Sequence, residues 1–224
     1  MPFIKTDTKF HPRLTNTNES KFIETIIDSF FEELKFFTKE NEENKPEPWR
    51  RYAEQPLLGL LMTGLVRNTK NENITLIPEY MAYNEKKSIG RPDLFINVNK
   101  TGYIVESKYL TEGCGKYWDV KGFKNQLHEI KKQQKKYQIK EDYKYLKEVY
   151  MVCLVFSSVI SKKEYRFNEH IAKSNEDHFS EVENSFYTFI YDENWKKNAA
   201  ESEIWKNSYS GLGVYGSIEK WTNF

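Results

Sequence analysis

The residues best suited to chemistry lie in two short apolar segments that each carry charged side chains. The first segment reads Gly90-Arg91-Pro92-Asp93-Leu94-Phe95-Ile96, and the second reads Tyr103-Ile104-Val105-Glu106-Ser107-Lys108-Tyr109. Charged side chains are rarely buried without a partner, so Asp93, Glu106 and Lys108 indicate a site rather than ordinary core strands. Two carboxylates suit a hard divalent cation such as Mg²⁺, and such a cation with a neighbouring ammonium group can activate water for attack on a phosphate. The pattern therefore indicates metal-assisted hydrolysis of a phosphate ester.

The geometry of β-strands predicts that these charged groups converge. Successive side chains on a strand point to opposite faces, so Glu106 and Lys108 share one face and Ser107 takes the other. If the two segments pair as a hairpin, Asp93 falls close to both charged groups, at one sheet edge. The backbone carbonyl of Ser107 is a further hard ligand, whatever its side chain. The sequence thus predicts a site that combines two carboxylates, a carbonyl and an ammonium group.

Pro92-Asp93 followed by Glu106-Ser107-Lys108 on a second, paired strand resembles the motif of the PD-(D/E)XK nuclease superfamily, the restriction-endonuclease-like phosphodiesterases. The resemblance covers residues 49–156, roughly half of the chain. It implies an α/β fold in which a restriction-endonuclease-like central mixed β-sheet is flanked by helices. It also implies DNA as the substrate and Mg²⁺ as the cofactor, with Mn²⁺ able to substitute.

The resemblance assigns a role to each residue of the predicted site. Asp93 and Glu106 would ligate the metal together with the carbonyl of Ser107. Lys108 would position the attacking water. In-line attack would then leave a 5′-phosphate and a 3′-hydroxyl on the products.

A further carboxylate is expected on the helix before the first strand, where members of the superfamily commonly carry a glutamate. Glu54 holds that place here and would assist the metal directly or through water. Glu79 on the first predicted strand is a rival for the same role. Glu54 could also be a solvated residue in the first turn of a helix, where the helix dipole favours a carboxylate. We favour Glu54 as the third acid.

A nucleic-acid contact is expected on the helix that follows the lysine strand. The RecB-like members carry Gln-x-x-x-Tyr there, and Gln133 and Tyr137 fit that spacing. Residues 116–147 hold ten lysines against four acidic residues, and such a patch can neutralise backbone phosphates without reading sequence. An ordinary solvated polar helix is the alternative. The expected nucleic-acid-binding residues are Gln133, Tyr137, Lys131, Lys132, Lys135 and Lys136.

The periodicity of apolar residues predicts the helices and strands that must position this site. Residues 1–17 are polar, contain two prolines and are interpreted as an N-terminal arm. Residues 18–224 are interpreted as a single nuclease-like domain, with its core at 49–156 and a C-terminal elaboration at 157–224. One predicted helix begins near Asn18, and two others span residues 49–66 and 122–138. The predicted strands are 74–83, 93–98 and 103–109 joined by a turn at 97–102, the fully buried 149–159, and 186–191. Pro78 in the first of them indicates an edge position or a bulge.

Composition and short patterns exclude several classes of protein. The net charge of +1 over 224 residues argues against a uniformly basic DNA-coating protein. Two cysteines cannot build a disulfide framework or a four-thiolate zinc site, and Cys153 lies in an apolar run as an expected inert core residue. The longest apolar stretch, residues 57–66, is too short to span a bilayer, and no signal peptide is visible, so a cytoplasmic protein without membrane contact is expected. Residues 211–216 satisfy Gly-x-Gly-x-x-Gly, but we expect a glycine-permitted turn there rather than a nucleotide-binding unit.

Two alternatives to an active enzyme are open from the sequence. A catalytically inactive nuclease-fold module could bind nucleic acid or a protein partner. The aromatic-rich C-terminal region could pack the core, stack bases or build a homodimer interface. The charges could also belong to an exposed hairpin in which Glu106 and Lys108 form a surface ion pair, worth at most about 1 kcal/mol.

Overall fold

The computed structural model describes residues 3–40, 54–69, 73–78, 82–84, 87–90, 92–111, 120–134, 145–161, 182–192 and 209–221. Within these segments, three helices accompany one eight-stranded sheet and a separate two-stranded hairpin. The helices are α1 (Asn18–Glu40), α2 (Glu54–Asn68) and α3 (Val120–Gln134). The strands are β1 (Phe3–Lys5), β2 (Lys9–Phe10), β3 (Ile74–Pro78), β4 (Ala82–Asn84), β5 (Lys87–Gly90), β6 (Leu94–Val98), β7 (Thr101–Thr111), β8 (Glu148–Ser161), β9 (Ser185–Asp192) and β10 (Tyr209–Lys220).

The large sheet is mixed, with strand order β1-β9-β10-β8-β7-β6-β3 and β2 also paired to β9. β7 and β8 are parallel, and the other neighbours are antiparallel. Parallel neighbours need a crossover connection, and α3 lies in the segment that links β7 to β8. The predicted α/β fold, a central mixed sheet flanked by helices, is therefore confirmed.

The β6–β7 hairpin forms as predicted and lies inside the sheet. Its turn residues Asn99 and Lys100 have φ values of 51° and 69°. Positive φ at both central residues is typical of the type I′ turn, whose twist matches that of paired strands. Leu94 lies opposite Val105, and β7 continues beyond the start of β6. Because β8 pairs with the other side of β7, the hairpin is not an exposed element.

One face of the sheet is covered by α1 and α2. Thr17 caps α1, since its Oγ1 accepts a hydrogen bond of 3.1 Å from the Ser20 amide. The two helices approach closely at Gly64, where a Cβ atom would lie 2.2 Å from the carbonyl oxygen of Ser29. The buried apolar residues of this face include Ile23, Ile27, Phe30, Leu58, Leu61, Leu94, Val105, Val152 and Phe156.

The opposite face is covered by α3. Leu127 and Ile130 of that helix pack on Cys153, Val155, Tyr187, Phe189 and Tyr215 from the central strands. The sheet therefore separates two apolar layers, and the residues of β7 divide alternately between them. Among the described helices, none combines the length and apolar composition needed to cross a membrane.

The C-terminal glycine pattern forms a strand, so the expected turn at residues 211–216 is wrong. These residues lie in the middle of β10, which pairs with both β8 and β9. A Cβ on Gly213 would lie 2.3 Å from the ring of Tyr215, and a Cβ on Gly216 would lie 2.3 Å from the ring of Phe186. Glycine is required here because aromatic rings occupy the space where its side chain would stand.

The N-terminal segment interpreted as an arm contributes two short strands, β1 and β2, which pair with β9. Pro78 ends β3, and β3 is an edge strand of the described sheet, as predicted. The predicted buried strand at 149–159 and the strand at 186–191 correspond to β8 and β9. Residues 49–53, 79–81 and 135–138 of the predicted elements lie outside the described residues.

Candidate functional site

Asp93 is fixed against β7 by two hydrogen bonds from one residue. Its Oδ2 atom accepts a bond of 2.7 Å from the Ser107 amide and one of 2.9 Å from the Ser107 hydroxyl. Ser107 is fully buried, whereas Asp93 is partly exposed. Hydrogen bonds to an ionised acceptor are stronger than neutral ones. The predicted proximity of Asp93 to the charged segment of β7 is therefore observed, and Ser107 makes the contact.

The Ser107 amide faces β6 because of the alternation of the ladder. In an antiparallel pair, a residue directs both its N–H and its C=O to one neighbouring strand, and the next residue directs both away. The Asn99 amide, just after β6, donates to the Asn73 carbonyl on the β3 side at 3.4 Å. Odd-numbered residues of β6 therefore direct their backbone groups to β3. Even-numbered residues, such as Leu94, direct theirs to β7. Leu94 lies opposite Val105, and Ser107 is the next residue of β7 with the parity of Val105. Its amide therefore points to the place where β6 begins.

Glu106 and Lys108 lie on the face of the sheet that α3 covers. Glu106 is opposite Cys153 and Lys108 is opposite Val155 in the parallel ladder, and both partners belong to the apolar layer under α3. The prediction that the two charges share a face is confirmed. Glu106 is only 1 % exposed, and Lys108 is partly buried. The alternative of a surface ion pair on an exposed hairpin is therefore wrong.

The two predicted acids directly follow the end of the β6–β7 pairing. The last pair is Leu94 with Val105, so Asp93 and Glu106 are the next residue of each strand. This position lies at the end of a strand pair in the interior of the sheet, because β7 has neighbours on both sides. The expected location at a sheet edge is therefore corrected to a strand end.

The oxygen donors at this strand end fit Mg²⁺. No group of three or more His, Cys, Asp and Glu side chains is arranged to hold a metal within the described part of the chain. The site instead offers the carboxylates of Asp93 and Glu106 and the carbonyl of Ser107. Mg²⁺ prefers oxygen ligands and usually keeps several waters, so one or two carboxylates suffice.

The remaining predicted acids contribute no described side chain. Glu54 is the first residue of α2, and its side chain lies outside the described structure, as does the whole of Glu79. The choice between them as a third acid stays a prediction.

The predicted nucleic-acid contacts are described only in part. Lys131 in α3 forms an ion pair with Glu219 of β10, and Lys132 is exposed. Gln133 lies in α3 with its side chain outside the description. Lys135, Lys136 and Tyr137 lie outside the described residues altogether.

Gln134 is a residue of this region that the sequence pattern missed. It is fully buried, and its Nε2 donates to the carbonyls of Ile104 at 3.4 Å and Val152 at 3.1 Å. Its Oε1 accepts a bond of 3.2 Å from the Cys153 thiol. Gln134 thus joins α3 to both strands of the parallel pair beside Glu106. The signal was present in the sequence, since Gln134 follows Leu127 and Ile130 at helical spacing.

Cys153 is a buried core residue, as predicted. Burial raises the pKa of its thiol to about 12, so the reactive thiolate is scarce at neutral pH. Its place opposite Glu106 supplies packing and a hydrogen bond to Gln134.

A cavity of about 250 Å³ lies at the far end of β7, near the β6–β7 turn and the start of α1. Glu19, Glu148, Tyr103 and Tyr150 contribute to its lining. The Tyr150 hydroxyl donates to Glu148 at 3.1 Å, and burial, followed by the charge of Glu19, raises the pKa of Tyr150 well above its usual value. Glu148 is paired with Lys220, and none of the lining residues is basic. The cavity therefore offers a phosphate no cation of its own and is a poor place for the predicted chemistry.

Comparisons of the chain with protein-family models, with curated proteins and with solved structures found no match. The chemistry assigned to this site therefore depends on its geometry and on the residue types it brings together.

Proposed function

We propose that the protein is a metal-dependent nuclease that hydrolyses phosphodiester bonds in DNA. The observation that carries this proposal is the pair of hydrogen bonds from Ser107 to Asp93, which fixes one carboxylate against the residue that follows the buried Glu106. A structural role alone would not require Glu106, because burying a charged carboxylate is costly and an apolar residue would serve the core better. The order of elements from α2 onward supports the proposal, with α2 before β3 and α3 after the lysine strand β7.

In the proposed mechanism, Asp93, Glu106, Ser107 and Lys108 each have a role. Asp93, Glu106 and the Ser107 carbonyl would hold Mg²⁺, which when bound acidifies water and neutralises charge on the phosphate. Ser107 fixes the carboxylate of Asp93 before substrate arrives, so little reorganisation is needed. Burial of Glu106 lowers the local dielectric and strengthens its interaction with a cation. The ammonium group of Lys108 orients the attacking water and stabilises the charge that develops on the phosphate.

DNA contact is proposed along α3 and the basic segment after it. Lys132 is exposed and can reach a phosphate directly. Lys131 would have to exchange its partner Glu219 for a phosphate, so its contribution to binding is reduced by the cost of breaking that ion pair. Gln133, Lys135, Lys136 and Tyr137 complete the proposed contact.

The test is a cleavage assay with plasmid DNA, single-stranded DNA and RNA, each with Mg²⁺ or with EDTA. The variants Asp93→Asn, Glu106→Gln and Lys108→Met each remove one charge with little change of shape. We expect about a 100-fold or greater loss of rate from each, and no cleavage in EDTA.

Matched controls change the same residue types away from the strand end. Asp28→Asn on α1, Glu148→Gln at the start of β8 and Lys100→Met in the hairpin turn should cleave at the parent rate. If Asp93→Asn and Lys108→Met also cleave at the parent rate, the assignment is wrong. DNA binding without cleavage under all metal conditions would instead indicate an inactive binding module, and cleavage of RNA alone would change the substrate class.

A further inference from the structure

Within the described residues, the β6–β7 ladder pairs no residue of β6 with Ser107. Leu94 pairs with Val105. Continuing that register by two residues on each strand places Pro92 opposite Ser107. The Ser107 amide, which a regular ladder would direct to the Pro92 carbonyl, is bonded by the Asp93 carboxylate instead. The regular ladder therefore stops one facing pair short of this position.

Proline at position 92 removes the donor for one of the two hydrogen bonds that this facing pair could form. A residue that directs its N–H toward a neighbouring strand directs its C=O there as well, so the Ser107 carbonyl points to β6 at the level of Pro92. Any other residue at position 92 could donate its own amide to that carbonyl. Proline has no N–H to donate. The ladder thus offers no hydrogen to the Ser107 carbonyl, on the same side where Asp93 lies.

We propose that Pro92 is a positioning residue that keeps the Ser107 carbonyl open for a divalent cation. The inference depends on the proposed function, because it concerns the cation that the strand end would hold. Pro92 is buried and sits directly before Asp93, so its fixed φ also limits the directions in which that carboxylate can approach β7. It acts through Ser107 and Asp93 and touches no substrate.

The variant Pro92→Ala tests the proposal, because it adds a backbone amide and removes little else. The new amide should compete with the cation for the Ser107 carbonyl. We expect the dissociation constant for Mn²⁺, measured by calorimetry without substrate, to rise about twofold to tenfold, which corresponds to the net strength of one hydrogen bond. Pro78→Ala is the matched control, because position 78 has the parity that faces away from β6, and it should leave the Mn²⁺ affinity unchanged.

Hydrogen exchange by NMR supplies a second measurement that needs no metal and no activity. In metal-free Pro92→Ala, the new amide at position 92 should exchange slowly, and Mg²⁺ should speed its exchange by taking its acceptor. Fast exchange in the metal-free variant, or equal Mn²⁺ affinity in Pro92→Ala and the parent, would overturn the inference. If the parent itself binds no Mn²⁺, or if Asp93→Asn binds it equally well, then the metal site of the proposed function fails and the inference fails with it.

Discussion

The contact between Asp93 and Ser107 predicts a measurable loss of stability when the carboxylate is removed. Asp93→Ala deletes the acceptor of two hydrogen bonds, at 2.7 Å and 2.9 Å, from a residue that is fully buried. The hydroxyl of Ser107 can rotate toward another acceptor, but its backbone amide cannot. An unsatisfied buried donor costs about 1–3 kcal/mol, and the lost charge-assisted bond adds to this. We therefore expect the free energy of unfolding to fall by about 2–4 kcal/mol.

Urea unfolding followed by circular dichroism measures this loss, with Asp28→Ala as the control. Asp28 is 60 % exposed and forms a surface ion pair of 2.9 Å with Lys5, so its removal should cost less than about 1 kcal/mol. Asp93→Asn keeps one acceptor oxygen and should fall between the two. Equal stabilities for Asp93→Ala and Asp28→Ala would refute the inference that this carboxylate holds the strand end together.

The remaining predictions concern the helices and the two layers that the sheet separates. Gln134→Leu should lower the free energy of unfolding by about 1–2 kcal/mol because the Cys153 thiol loses its acceptor and two carbonyls lose a donor; unchanged urea midpoints would contradict this. Gly64→Ala should destabilise by more than about 1 kcal/mol because its Cβ would strike a carbonyl of α1, whereas Gly59→Ala, with open space around its Cβ, should stabilise by up to about 1 kcal/mol. In a Cys114→Ser background, Cys153 should resist alkylation at pH 8 until urea unfolds the protein, and rapid labelling of the folded form would show that the thiol is not sealed under α3. Because its folded pKa of about 12 lies above its ordinary value of 9.0, the stabilisation from keeping the thiol neutral is complete below pH 9 and is lost as pH rises toward 12, so Cys153→Ala should flatten the alkaline loss of stability.

The sequence predicts the elements whose signals are local. The apolar stripe of α1 appears at helical spacing, and the continuous apolar run of β8 marks a strand buried on both faces. The β6–β7 hairpin follows from two short β-rich runs around Asn99, which accepts the positive φ of a tight turn. Each of these structures is decided by residues within one short window.

Long-range pairing accounts for the elements that the sequence leaves unidentified. β1 and β2 gain their hydrogen bonds from β9, which lies far along the chain, and no apolar period marks them in advance. β10 carries glycines that normally weaken a strand. Its place in the sheet depends on rings such as those of Tyr215 and Phe186, which fill the space above those glycines.

The candidate site, like the fold, could be predicted from the sequence only in part. The alternation rule places Glu106 and Lys108 on one face, and pairing of the two strands brings Asp93 to the segment of β7 that carries them. Residue types and spacing suffice for this part. The two hydrogen bonds from Ser107 to Asp93 could not be predicted, because they require the regular ladder to stop at one particular residue. The ion pair of Lys131 with Glu219 could not be predicted either, because it joins α3 to β10, which lies far along the chain.

The most direct test of the metal site is a crystal of the intact protein soaked in Mn²⁺ and measured for anomalous scattering. A peak about 2.1 Å from a carboxylate oxygen of Asp93, a carboxylate oxygen of Glu106 and the carbonyl oxygen of Ser107 is the expected result. The same soak of Asp93→Asn should lose that peak. A Mn²⁺ peak elsewhere, or none at the start of β6 in crystals saturated with the ion, would contradict a hydrolytic site at this strand end.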